Sequence, residues 1–192
     1  MKSLIHSSLT LARASIDDLL SSETSLQTID KIIMLFVDTF KNGGKIIVCG
    51  NGGSCCDAMH FAEEFTGRFN KSRSPLPVLA LADPSHITCV GNDYGFDSIF
   101  SRGVEAFGNE NDVFLALTTS GNSQNIINAF KEAKAKNMNT VVFNGKTGGL
   151  LKGLPDFELI IPGKSSDRIQ EVHMLVLHSI IEQVEYVLFP NL

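Results

Sequence analysis

His60 and Glu64 stand four residues apart, a spacing that puts an imidazole and a carboxylate on one face of a helix. Such a pair can reach a single metal ion or work on a single substrate. Gln170 and His178, much later in the chain, carry donors suited to the same chemistry. Eight residues along a helix is ~12 Å of rise and ~80° of rotation, so these two converge only if both side chains reach across two turns. By spacing Glu171 is the better face mate of His178. The poor helical match also allows a site shared between subunits. His86 and His173 read as satisfied core histidines, and His6 as solvated.

Two loops supply a second kind of chemistry. Gly50-Asn51-Gly52-Gly53-Ser54 follows the apolar run Ile46-Ile47-Val48-Cys49, and Thr118-Thr119-Ser120-Gly121-Asn122-Ser123 follows Val113-Phe114-Leu115-Ala116-Leu117. Each opens a helical pattern. Short Gly, Ser, Thr and Asn loops at helix N-termini offer free N–H groups, hydroxyls and a favourable dipole to an anion. Two of them predict a phosphorylated ligand. Neither is a nucleotide motif: a dinucleotide fingerprint needs glycine where Cys55 stands, and a P-loop ending at Lys146-Thr147 needs glycine where Thr140 stands.

The elements that must carry these groups follow from periodicity. Ile5, Leu9, Ala12, Ile16 and Leu19 form a heptad-like helical seam, and Ile29, Ile33, Phe36 and Phe40 form a second. Thr24 and Gln27 fit a capping box, and Gly43-Gly44 ends the second helix. The result is a helical hairpin over 1–44, packed within the chain or against another subunit. From Lys45 onward strands are expected at 45–49, 77–82, 113–117, 139–143 and 157–161, with helices near 54–67, 85–92, 97–107, 123–137 and 166–188. The alternation predicts one α/β domain over 1–192, with a five-stranded, mostly parallel sheet covered on both faces. Both loops then lie outside the carboxyl ends of strands, where such sheets bind ligands. The last helix is apolar around most of its circumference, which suggests the core of an oligomer.

Composition narrows the class. The chain has 192 residues, 43% of them hydrophobic, and a net charge of −5 with no basic block, which argues against nucleic-acid binding. None of the four cysteines forms a Cys-x-x-Cys pair, and reduced thiols of a cytoplasmic protein are the simplest reading. No stretch approaches the ~20 apolar residues of a membrane span, and the N-terminus does not read as a signal peptide.

Taken together, several motifs closely resemble those of bacterial phosphoheptose isomerases. They are Gly50–Ser54, Asp57-Ala58-Met59-His60-Phe61-Ala62-Glu63-Glu64, Gly67-Arg68, Gly91-Asn92-Asp93, Phe100-Ser101-Arg102, Thr119–Ser123, and Asp167-Arg168-Ile169-Gln170-Glu171 with His178. The loops alone mark the wider sugar isomerase (SIS) fold; the set His60, Glu64, Gln170 and His178 is more specific. The resemblance implies a three-layer SIS-type domain and a cytoplasmic homotetramer. It implies conversion of sedoheptulose 7-phosphate to D-glycero-D-manno-heptose 7-phosphate, the first step towards ADP-heptose for the lipopolysaccharide core. It also implies one zinc ion per subunit on His60, Glu64, Gln170 and His178, with Glu64 as base and His178 as acid. Substrate contacts would fall on Asn51, Gly52, Gly53, Ser54, Glu64, Asn92, Asp93, Thr118, Thr119, Ser120, Ser123 and Gln170. Two positions depart from the commonest pattern: Thr118 replaces a frequent Ser and keeps the hydroxyl, and Cys55 replaces a frequent His or Ala. Cys55 is then either an inert, partly buried thiol or one of lowered pKa beside the phosphate loop. The alternative function is that of a non-catalytic SIS protein binding the replication initiator DnaA. Such proteins typically lack the acid and the imidazole that this chain has at Glu64 and His178.

Overall fold

The computed structural model describes residues 2–191. Two helices come first, α1 (Lys2–Leu20) and α2 (Glu23–Lys41). Then follow β1 (Ile46–Gly50), α3 (Gly53–Thr66), β2 (Val78–Ala80), α4 (Pro84–Tyr94), α5 (Ser101–Phe107), β3 (Val113–Leu117), α6 (Gln124–Ala135), β4 (Asn139–Gly145), β5 (Phe157–Ile161) and α7 (Ser166–Leu188). The five strands are all parallel, in the order β2-β1-β3-β4-β5. The expected three-layer α/β architecture is therefore present.

Alternating side chains divide the strands between two cores. Ile46, Val48, Val113, Leu115, Leu117, Val141 and Phe143 point to the face covered by α2, α3 and α7. Ile47, Cys49, Phe114, Ala116 and Val142 point to the opposite face, covered by α4, α5 and α6. The central strands β1 and β3 are buried along their whole length, which is why they read as unbroken apolar runs.

Two local expectations are corrected. The N-cap of α2 is Ser22, whose hydroxyl accepts from the Ser25 N–H at 3.2 Å, so the Thr24–Gln27 capping box is not formed. The helix expected over 97–107 is split into a 3₁₀ turn at Phe96–Ser98 and α5, because Ile99 and Phe100 turn inward and are buried between them. Helix α7 buries much of its apolar circumference within the chain, while Leu175 and Val187 stay exposed. Its residues Val172, Val176, Ile180, Ile181 and Val184 are buried within the chain, among α2, α3 and the sheet.

Candidate active site

In this strand order, β1 turns outward to β2 on one side while β3 begins the run in the other direction. The crevice between β1 and β3 is the switch point at which open parallel sheets bind ligands. Both loops open there. A cavity of about 300 Å³ is lined by Asn51, Gly52, Gly53, Ser54, Thr118, Thr119, Ser120, Ser123, Ser166 and Gln170, with Leu117 as its apolar floor.

Three helices begin at this cavity, and none is capped by its N-cap side chain. The N-cap residues of α3, α6 and α7 are Gly52, Ser123 and Ser165, and none accepts a first-turn N–H through its side chain. On α3 the Ser54 and Cys55 N–H groups turn back to the Asn51 and Gly52 carbonyls, and on α6 the Asn125 side chain takes the Ile126 N–H; the first-turn donors that remain, together with the positive helix ends, suit an anion. The backbone is shaped for close approach. A Cβ at Gly53 would stand 2.6 Å from Gln170 Oε1, so glycine lets α7 come up against the loop. Gly121 has a φ of +67°, and a Cβ there would collide with the Gly148 carbonyl.

Side chains fix the two loops to one another. Asn51 and Asn125 exchange amide hydrogen bonds of 2.9 and 2.8 Å, and Asn125, buried in the first turn of α6, also accepts from the Ile126 N–H. Gln170 donates to Ser54 Oγ at 3.2 Å, and the Thr119 and Ser166 hydroxyls lie 3.0 Å apart. Asn125 and Ser166 are absent from the residues expected from the sequence. Ser166 lies next to the Asp167–Glu171 motif that carried the resemblance, but the partner of Asn125 is 74 residues away.

A second group lies along α3 and α7, which both run away from the cavity. His60 Nε2 is 3.3 Å from Glu64 Oε1, and one ligand atom from each of His60, Glu64 and His178 falls within 4.8 Å of the others. Two ligands of one tetrahedral zinc ion stand about 3.3 Å apart. The imidazole–carboxylate–imidazole set thus has both the chemistry and the spacing for one ion. The His60 and His178 rings meet edge to face at 4.9 Å, and Phe69 stacks on His178 at 5.8 Å. Burial pulls the His178 pKa below its usual value; His60 adds to this and Glu64 opposes it. Asp57, one turn before His60, is pushed up to about 6 by burial against the opposing pull of His60, and its Oδ2 is buried without a partner.

The other expected positions have neighbours of their own. Gln170 is at the cavity with Ser54, eight residues before His178 on α7. Glu171, favoured by spacing as the partner of His178, pairs instead with Arg168 at 2.8 Å. Asn92 and Asp93 are exposed near the end of α4, hydrogen-bonded to each other and outside the cavity lining. The Cys55 thiol is pushed up by burial and by Cys56, so it is not a low-pKa nucleophile. His173 and His86 are hydrogen-bonded to the Asn144 and Ile99 carbonyls, and His6 is exposed, as expected.

Comparison with known proteins places this geometry. The SIS domain family matches residues 13–145. A phosphoheptose isomerase from Fusobacterium nucleatum is 56% identical over 172 residues, covering 90% of this chain and 89% of the relative. The chain belongs to the phosphoheptose isomerase family. Its similarity to a second member, from Vibrio cholerae, is 50% identity over 95% of this chain and 96% of that one. The fold agrees as well. The structure of a phosphoheptose isomerase from Francisella tularensis superposes with a TM-score of 0.90 at 37% identity, covering 96% of this chain and 98% of that one.

Proposed function

We propose that this phosphoheptose isomerase family member converts sedoheptulose 7-phosphate to D-glycero-D-manno-heptose 7-phosphate through an enediol. The single observation that carries the reading is the convergence of three helix N-termini without an N-cap side-chain bond and two Ser/Thr loops on one cavity, with an acid–base group beside it. On α3, Ser54 and His60 are separated by ~9 Å of helical rise. A seven-carbon sugar phosphate can bridge that span, with phosphate in the cavity and its carbonyl end beside His60, Glu64 and His178.

The chain's groups then divide the work. Thr118, Thr119, Ser120, Ser123, the Ser54 hydroxyl and the N–H groups of Gly52 and Gly53 hold the phosphate. Binding energy from that distant end positions the reacting carbons. Glu64 removes the C1 proton and returns it at C2, while His178 exchanges a proton with the carbonyl oxygen. His60, Glu64 and His178, with Gln170 as the fourth ligand by family resemblance, would hold one zinc ion per subunit. When bound, zinc would polarise the sugar carbonyl. A carboxylate that held zinc would be a weaker base than a free one, so the two roles of Glu64, ligand and base, would compete.

The wider setting follows the family. We place the enzyme in the cytoplasm, at the first step towards ADP-heptose for the lipopolysaccharide core, as a homotetramer. Exposure of Leu4, Ile5 and Leu9 on the first half of α1 supports a subunit contact there. No helix among the described residues is long and apolar enough to cross a membrane. Glu64 and His178, which the initiator-binding alternative typically lacks, stand together in the acid–base group.

The test is incubation with sedoheptulose 7-phosphate in D₂O, followed by NMR with and without a chelator. An aldoheptose 7-phosphate carrying deuterium at C2 supports the isomerase, and its loss on chelation supports the metal. Absence of turnover by the folded, zinc-loaded tetramer overturns the reading.

A further inference from the structure

The segment between α3 and β2 carries a charge pair that the chemistry above does not use. Arg73 reaches back from this segment to the end of α3, its side chain fully buried. Its guanidinium donates to the carbonyls of Glu64 at 2.7 Å and Phe65 at 2.6 Å, two of the acceptors that a helix C-terminus leaves unpaired. Its Nε lies 3.3 Å from a carboxylate oxygen of Glu185, which is 6% exposed. Glu185 also accepts the Asn70 and Lys71 N–H groups, so it closes the same segment.

The positions of the two charges matter more than their attraction. Glu64 is the residue whose carbonyl Arg73 holds. Glu185 stands seven residues after His178, on the same stripe of α7 two turns further on. The segment they secure also carries Phe69, whose ring stacks on His178. One buried pair therefore ties the backbone of Glu64, the helix of His178 and the ring covering His178 into a single unit. Burying two charges costs about as much as their attraction returns, and the Arg73 Nε is buried without a hydrogen bond, so the pair is weak evidence for stability.

Building on the isomerase reading, we propose that Arg73 and Glu185 are positioning residues, a buried clamp that sets the separation of Glu64 and His178. The clamp touches neither phosphate loop, so its loss acts on turnover and not on substrate capture. Misplacing reacting groups by an ångström costs about a hundredfold in rate.

The test compares wild type with Arg73→Lys, Arg73→Met and the apolar double variant Arg73→Met/Glu185→Leu. The double variant removes both charges together and so leaves none buried without its partner. With sedoheptulose 7-phosphate, its kcat should fall about a hundredfold while KM stays within about threefold, and Arg73→Lys should recover part of the loss. A second measurement needs no substrate. In histidine-labelled protein, the NOE between the His60 and His178 rings should weaken or vanish in the folded double variant. A folded double variant with kcat within about threefold of wild type, or with an NOE of unchanged strength, overturns the clamp. Wild type without turnover overturns the isomerase reading instead, and the NOE then decides the clamp alone.

Discussion

Helices α2 and α4 begin under an N-cap side chain that accepts a first-turn N–H, whereas the N-cap side chains of α3, α6 and α7 accept none. Ser22 and Asp83 accept first-turn N–H groups in the capped pair. The N-termini of α3, α6 and α7 face the cavity between the Gly50 and Thr118 loops, whereas short α5, with Phe100 at its N-cap, begins without such a bond away from it. A cap stabilises a helix by ~1 kcal/mol, so three missing caps are a local loss of stability. The donors a cap would have used are the ones an anion can use. The difference teaches where local stability has yielded to ligand binding. On the proposed reading it also separates the cavity, which would hold a charge, from the group on α3 and α7, which would move protons.

The largest expected effect breaks that division at its chemical end. Glu64→Gln should lower kcat by about a thousandfold, the scale of a positioned general base. Inorganic phosphate should still bind the cavity with unchanged affinity by calorimetry. Substantial turnover in this variant would remove Glu64 from the role of base.

A second effect arises on α7, which serves both purposes on different faces. Ser166 and Gln170 face the cavity, while His173 is buried on the sheet side with its Nε2 hydrogen-bonded to the Asn144 carbonyl. Burial lowers its pKa to about 4, against the partial opposition of that bond. The unfolded chain takes up a proton near pH 6.5 that the folded chain refuses until about pH 4. Stability is therefore full above pH 6.5 and falls as pH drops towards 4, by roughly 3 kcal/mol. Urea titrations at pH 7 and pH 4.5 should show this fall, and His173→Gln should flatten it. An equal fall in the variant would assign the effect to other groups.

The third effect tests how rigidly the two loops are joined. Asn125→Ala removes the amide pair with Asn51 and leaves a polar group half satisfied, a loss of about 1–2 kcal/mol. KM for the sugar phosphate should rise about tenfold, with kcat within about threefold. A fall in kcat at constant KM would show that the pair serves the chemical end.

These residues also mark how far the sequence could be read. The strands and both loops were legible because buried parallel strands are continuous apolar runs, and helix-opening Gly/Ser loops have a composition of their own. His60 and Glu64 were legible because their relation is local, one turn apart. Asn51–Asn125 and Arg73–Glu185 were not, because each partner looks ordinary in its own segment and only the fold brings the two together. The cap of α2 was misplaced for the opposite reason: Ser21, Ser22, Thr24 and Ser25 all offer hydroxyls, and composition cannot choose among them. Gln170 and His178 taught a similar lesson. Their eight-residue spacing posed a question of convergence and could not name the neighbours that the fold gives them, Ser54 for Gln170 and the His60–Glu64 pair for His178.

The smallest effect sharpens the opening comparison most directly. Asp83→Ala and Ser123→Ala each remove a polar N-cap side chain from a helix of this fold. At Asp83 the side chain holds the His86 N–H at 2.8 Å, so its loss should lower stability by ~1 kcal/mol and leave KM unchanged. At Ser123 no such bond exists, so stability should stay within ~0.5 kcal/mol while KM rises severalfold. Denaturant midpoints and KM, measured on both variants, place each N-terminus on its own axis. A stability loss at Ser123 equal to that at Asp83, without a change in KM, would mean that the hydroxyl caps α6 in solution. The missing N-cap bonds would then be a matter of side-chain rotamers and not of ligand binding.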